Sequence, residues 1–175
     1  MKVLIITGTP GTGKSSLAIK LSKRLNFCYI NVNKLIKRYN ISEGYDKKRK
    51  TKIIDTNKLN KALIKEIDNY KTAITDKHNK IIKKGIIIDS HLSHYLSGKY
   101  VDLCIVTKCG MKTLEKRLKK KKYGNEKIRE NLDAEIFDVC LNEAKESGHK
   151  VIIVDTTKGI NINEVSSKIG GLIGV

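Results

Sequence analysis

The residues best suited to chemistry are Gly8-Thr9-Pro10-Gly11-Thr12-Gly13-Lys14-Ser15, which fit the pattern G-x-x-x-x-G-K-[ST]. Glycines let the chain turn its N–H groups inward, where they cradle phosphate oxygens. A helix opening directly behind the loop adds its positive dipole end. Lys14 would then reach the β- and γ-phosphates of a nucleotide, and the Ser15 hydroxyl would hold Mg²⁺. Pro10, the only proline of the chain, lies inside the loop, where its fixed φ helps to stiffen it. A bare pattern match can arise by chance in a glycine-rich turn, so the flanks decide. Lys2–Thr7 reads as a buried strand just before the loop, and Leu17, Leu21 and Leu25 give a helix one apolar face just after it.

Asp89 is the second candidate. It closes the apolar run Ile86, Ile87, Ile88. A carboxylate at the carboxyl end of a buried strand, near Ser15, is the Walker B arrangement, binding Mg²⁺ directly or through water. The plainer alternative is an aspartate that caps the following turn. His91 lies two residues further on and would face the same crevice near the γ-phosphate. There it could orient an attacking water or donate a hydrogen bond to the transferring phosphate. His91 and His94 have the spacing of a metal pair, but no third ligand is evident, and His94 reads as an ordinary surface or core histidine.

Positioning these groups requires strands that alternate with helices. Strands are expected at Lys2–Thr7, Phe27–Asn31, Gly85–Asp89, Val101–Thr107 and Lys150–Asp155. Helices are expected at Lys14–Leu25, at Lys34–Tyr39 with Asn33 as cap, and from Asp55 or Thr56 along Leu59, Leu63, Ile67 and Tyr70. The last of these is expected to run on, bent or broken, through Ile74, Ile81 and Ile82 to Lys84. A further helix carries Leu114 and Leu118, and a long one from Glu126 should bury Ile128, Leu132, Ile136, Val139, Cys140 and Ala144. Val165, Ile169, Leu172 and Ile173 line a final helix. The polar stretch 40–52, with the basic run Lys47–Lys50, reads as a mobile insert. The pattern specifies an α/β fold: a three-layer P-loop NTPase of the nucleoside-monophosphate-kinase type, with a five-stranded parallel sheet and helices on both faces. Ligands of such a sheet bind at the carboxyl ends of the strands.

Composition narrows the class. A chain of 175 residues is expected to be one domain, 1–175, with no Trp and a core mostly of Ile, Leu and Val. No apolar run suits a membrane span, and the first residues enter a strand at once, so a soluble, cytoplasmic protein is expected. Cys28, Cys104, Cys109 and Cys140 show no C-x-x-C spacing and read as reduced, buried thiols. The net charge of +18 attracts phosphates, nucleic acid or an acidic partner, or else reflects a lysine-rich coding bias or a thermophile's charged surface.

The loop together with Asp89 and His91 resembles the adenylate kinase isoenzyme 6 family, which includes a coilin-interacting nuclear ATPase and archaeal adenylate kinases. Tyr29–Val32 is similar to its second strand, and Glu43-Gly44-Tyr45-Asp46 to its Gly-Tyr-Asp signature. Ile54, Asp55 and Leu59 resemble the start of its next helix, and Arg117, Leu118, Tyr123, Asn131 and Ala134–Phe137 its lid and the helix behind. The resemblance covers nearly the whole chain.

It implies an ATP:AMP phosphotransferase with ATPase activity and a second role in maturation of the small ribosomal subunit. The implied partners are AMP as acceptor, a small-subunit platform ribosomal protein, and rRNA through the lysine-rich surface. ATP would touch Gly11, Gly13, Lys14, Ser15, Ser16, Lys121 and Lys158, with catalysis at Lys14, Asp89 and His91 and Mg²⁺ at Ser15 and Asp89. The AMP-binding insert would span about 31–54 and the lid about 120–130. Lys121 stands where the family has a phosphate-contacting arginine and lacks its bidentate fork, a task that Lys122 or Arg129 could share. The family's acidic stretch after Gly-Tyr-Asp is here Lys47–Lys50, either a surface suited to RNA or a plain solvated run. Two competing readings are an ATPase switch for ribosome assembly with residual AMP kinase activity, and another small-molecule kinase of shikimate type. The second is disfavoured by Asn31-Val32-Asn33, where such enzymes often carry Asp-x-Asp.

Overall fold

Each short β-branched run becomes a strand, and each 3.6-residue apolar stripe becomes a helix laid on it. The computed structural model describes residues 1–47, 51–73 and 83–174. In chain order the elements are β1 (Lys2–Thr7), α1 (Lys14–Leu25), β2 (Phe27–Asn31), α2 (Val32–Arg38), β3 (Ser42–Asp46), β4 (Thr51–Ile54) and α3 (Thr56–Ala73). Then follow β5 (Gly85–Asp89), two short 3₁₀ turns at Ser93–Tyr95 and Gly98–Tyr100, β6 (Leu103–Lys108), α4 (Met111–Lys120), α5 (Asn125–Ile136), α6 (Val139–Glu146), β7 (Val151–Asp155) and α7 (Ile162–Ile173).

The five apolar strands form one parallel sheet in the order β2-β5-β1-β6-β7. Alternate side chains feed two cores. Leu4, Ile6, Ile87 and Ile105 pack on Leu17 and Leu21 of α1 and Ile169 of α7. Val3, Ile5, Ile86, Ile88 and Val106 pack on α2, α3 and α6 through Leu35, Ile36, Leu59, Leu63 and Leu141. Burying one such Leu contributes roughly 1.5–3 kcal/mol, so two covered faces hold the sheet without aromatic bulk. A third, small cluster of Cys109, Leu114, Leu118 and Ile128 joins α4 to α5. The register sets Ile6 beside Asp89, Asn31 beside Asp89, and Lys108 beside Asp155, so the carboxyl ends of the strands form one edge.

Four expectations are corrected. The stretch 40–52 contains an antiparallel ribbon, β3 with β4, pairing Tyr45 with Lys52 and Ser42 with Ile54. The cap of α2 is Asn31, whose Oδ1 accepts the Lys34 N–H at 3.2 Å, so the helix starts two residues early. The long helix from Glu126 is two helices: Asp138, at φ 53, breaks it. Lys108 Nζ fixes that break by bonding the Glu135 carbonyl at 2.7 Å and the Asp138 carboxylate. The break turns Ile136 and Val139 outward instead of burying them, and leaves Phe137 between them 70% exposed. Of the four free cysteines, Cys104 and Cys109 are buried while Cys28 and Cys140 are half-buried. The expected path through Ile74, Ile81 and Ile82, and Lys48, Arg49 and Lys50 of the basic run, lie outside the described residues. Among the described residues no helix is long and apolar enough to cross a membrane.

Candidate active site

The loop between β1 and α1 closes on itself around Thr9. The Thr9 carbonyl accepts the Thr12 N–H at 3.1 Å, the Thr12 hydroxyl at 2.8 Å and the Lys14 ammonium at 3.0 Å. Lys14 Nζ also donates to the Gly8 carbonyl at 2.6 Å. Only glycine fits at position 8: φ is +136°, and a Cβ would lie 2.5 Å from the Thr107 carbonyl oxygen. Two buried hydroxyls brace the loop, one from β6 and one from the residue just after β7. Thr107 Oγ1 shares a 2.6 Å hydrogen bond with Thr12 Oγ1, and Thr156 Oγ1 donates to the Thr12 carbonyl at 2.6 Å. Arg117 of α4 holds Thr156 in turn, donating to its hydroxyl at 3.0 Å and to its carbonyl at 2.7 Å.

Above the loop lies a crevice of about 670 Å³. Gly11, Gly13, Lys14, Ser15, Ser16, Asp89, His91 and Lys121 all line it, so eight of the nine expected site residues come together. Lys158 does not: it is exposed on the loop after β7, outside the lining. Lys122 and Arg129, the suggested helpers of Lys121, do not line the crevice either; Arg129 faces a groove between α4 and α5. The lining cations beside Lys121 are instead Arg117, Lys120 and Lys127.

The carboxylate of Asp89, 5% exposed, is held by a residue that sequence reasoning passed over. Tyr29 donates its hydroxyl to Asp89 Oδ2 at 2.9 Å, and Asn31 Nδ2 donates to that hydroxyl at 3.1 Å. Tyr29 and Asn31 are two apart on a strand and so share a face, the one signal that could have found them. A carboxylate, a hydroxyl and an adjoining phosphate loop are hard oxygen donors of the kind that take Mg²⁺ together with substrate phosphates. Among the described residues no group of three or more His, Cys, Asp or Glu is placed to hold a metal. His94 is committed elsewhere: its Nδ1 is 2.7 Å from Thr7 Oγ1 and its Nε2 is 2.9 Å from Glu143 Oε2.

The crevice shifts its basic groups. Burial pulls the Lys14 ammonium down to about 8; Lys121 adds to this, while the Cys140 thiol and the Asp89 and Glu135 carboxylates oppose it. The His91 residue keeps an exposed edge on the crevice, but desolvation by the protein packed around its ring, followed by the charges of Lys14, His94 and Lys127, lowers it to about 4. At neutral pH His91 is therefore an uncharged imidazole with one donor and one acceptor nitrogen.

A second pocket of about 600 Å³ adjoins the first and shares Asn33 and His91 with it. Its walls are Ile36 and Lys37 of α2, Tyr45, Lys52 and Ile54 of the ribbon, and Leu92. A separate groove of about 500 Å³, between the end of α1 and α7, lies away from these groups.

A phosphate loop after the first strand, a parallel sheet with helices on both faces, and a crevice lined by Arg117, Lys120, Lys121 and Lys127 define a P-loop kinase of the nucleoside-monophosphate-kinase type. A family model described as an AAA domain matches residues 4–138. A Thermococcus kodakarensis protein named "Putative adenylate kinase" is 34% identical, over 98% of this chain and 85% of its own length. The "Adenylate kinase isoenzyme 6 homolog" of Dictyostelium discoideum is 32% identical, over 87% of this chain and 79% of its own. The chain belongs to the adenylate kinase isoenzyme 6 family, with its archaeal members, and is a nucleotide kinase. The solved shikimate kinase of Acinetobacter baumannii shares the fold alone, with a TM-score of 0.59 at 11% identity over 99% of this chain and 93% of that one.

Proposed function

We propose that the protein transfers the γ-phosphoryl group of ATP to AMP, giving two ADP, and hydrolyses ATP when AMP is absent. One observation carries this reading: the phosphate crevice and the second pocket meet at Asn33 and His91, so a donor and an acceptor can face each other across one point. The names of the relatives support adenine nucleotides as the pair.

On this reading, residues 1–175 form a single domain in which about 31–54 receive AMP and about 120–130 act as lid. ATP phosphates lie in the loop, where Lys14 leaves the carbonyls of Gly8 and Thr9 to meet them. Ser15 and Asp89 would hold Mg²⁺, which when bound would supply positive charge beside the phosphates. Tyr29 keeps the Asp89 carboxylate in place. AMP enters beside Tyr45, whose ring offers a face to the base, and Lys37 and Lys52 flank its phosphate. Closure of the lid and the ribbon excludes water and aligns the acceptor oxygen. His91, neutral at pH 7, bonds the transferring group or, without AMP, orients water.

A second reading makes the chain mainly an ATPase switch in small-subunit maturation, cytoplasmic, gripping a small-subunit ribosomal protein or rRNA. The net charge of +18 and the placement of His91 favour it. Product analysis from ATP and Mg²⁺, with and without AMP, on wild type and His91→Ala separates the two. Two ADP for each AMP consumed, with no free phosphate, means transfer. Free phosphate that ignores AMP and vanishes in His91→Ala means the switch, and stimulation by a small-subunit ribosomal protein would then identify its trigger.

A further inference from the structure

We infer that Glu135 is a positioning residue for the phosphate loop: its carboxylate fixes Thr9, and Thr9 in turn fixes the Lys14 ammonium. The inference rests on the crevice being a nucleotide site and adds a residue that does not line it.

Glu135 lies in the last turn of α5 and is 4% exposed. A carboxylate so deep must be paired on both oxygens or it destabilises the fold. Both are paired here. Oε1 accepts the Cys109 N–H at 2.9 Å, and Lys108 Nζ supplies countercharge at 3.3 Å. Oε2 accepts the Thr9 hydroxyl at 2.6 Å. The first two contacts anchor α5 to the end of β6. The third reaches across to the phosphate loop.

Thr9 is the node of that loop. Its carbonyl receives Thr12 and Lys14, so whatever fixes Thr9 fixes the starting position of the ammonium. When phosphate draws Lys14 away, the carbonyl loses one donor while the hydroxyl keeps Glu135. The loop therefore keeps its curvature as Lys14 changes partner, and no reorganisation accompanies binding.

The other end of α5 points to the same use. Its first turn carries Lys127, which lines the crevice. Lys127 and Glu135 are about 12 Å apart along the axis at the rise of an α-helix. One rigid helix thus touches the nucleotide wall at one end and the loop at the other. The Lys108 clamp on Glu135 and Asp138 holds the loop end still.

The test compares Thr9→Val, Thr9→Ser and Glu135→Gln by ATP-binding calorimetry and by KM for each substrate. Valine keeps the shape of threonine and removes the donor; serine keeps the donor. Thr9→Val should raise the Kd and KM for ATP about tenfold, the size of one charge-assisted hydrogen bond, with the KM for AMP unchanged. Thr9→Ser should restore wild-type values. Glu135→Gln, where it folds, should match Thr9→Val, and the double variant should be no worse than either single one. Wild-type ATP binding by Thr9→Val overturns the inference. So does a parallel loss for both substrates that tracks only a lower melting temperature. Lys14→Ala, run alongside, separates the two layers. If it too binds ATP normally, the nucleotide site itself is misread; if it fails to bind while Thr9→Val binds normally, only the role of Glu135 falls.

Discussion

Around the phosphate loop, Thr7, Thr9, Thr12, Thr107 and Thr156 are all at most 1% exposed and are bonded to one another, to main chain or to buried side chains. Around the second pocket the ribbon of β3 and β4 leaves Tyr45 57% and Ile53 52% exposed. The ribbon is joined to α3 by the surface pair Lys58–Glu43 at 2.8 Å. A two-stranded ribbon is marginal alone, and exposed ion pairs add little. On the proposed function, the donor end would thus be fixed before any ligand arrives, while the acceptor end would close on what it receives. The division suits the chemistry: the triphosphate needs one geometry, whereas exclusion of water needs a part that moves.

Four variants would break or sharpen this contrast. Lys14→Ala should cost both transfer and hydrolysis about 10²–10³-fold, as expected for removing a principal donor to the transferring group. Wild type should also take up protons on binding nucleotide above pH 8, because an ammonium that titrates at about 8 when free is pulled up by phosphate. Calorimetry in two buffers of different ionisation enthalpy reads that uptake; its presence in Lys14→Ala would assign the proton elsewhere. Tyr29→Phe should lower metal affinity of the nucleotide complex about tenfold while the fold persists, since it removes the hydroxyl that orients Asp89 and accepts from Asn31 and leaves the ring in place. Titration of Mn²⁺ followed by electron paramagnetic resonance measures this without turnover. At the softer end, Tyr45→Ala should raise the KM for AMP about fivefold, the value of one aromatic contact, and leave ATP alone. An equal effect on ATP would mean that the ribbon serves both substrates. The smallest change is expected at Lys58→Ala, where both partners of the pair are exposed and the melting temperature should stay within experimental scatter.

The same contrast governs what could be read in the sequence. The donor end was legible because its parts are local: a strand, eight loop residues and a helix in succession, with Asp89 marked by three apolar neighbours. The β3–β4 ribbon was not, because Ser42–Asp46 has no apolar alternation and is a strand only through its pairing with Thr51–Ile54. The apolar period from Ile128 to Ala144 runs unbroken through Asp138, and the break is imposed by Lys108, 30 residues away. Tyr29 and Glu135 were passed over for the same reason. Their partners Asp89 and Thr9 lie 60 and 126 residues distant in the chain; only the shared strand face of Tyr29 and Asn31 gave a local hint, and nothing near Glu135 did.

The position of β1 in the sheet has a kinetic consequence. It is flanked by β5 and β6, with Leu4, Ile5 and Ile6 paired on both sides. Amides in such a strand trade their protons for solvent deuterons only when the whole sheet comes apart. The floor beneath the phosphates thus shares the slowest opening in the molecule, whereas the ribbon can open on its own. On the proposed function, nucleotide would therefore leave by the lifting of the lid and the ribbon, which would set its residence time, while the floor stays protected.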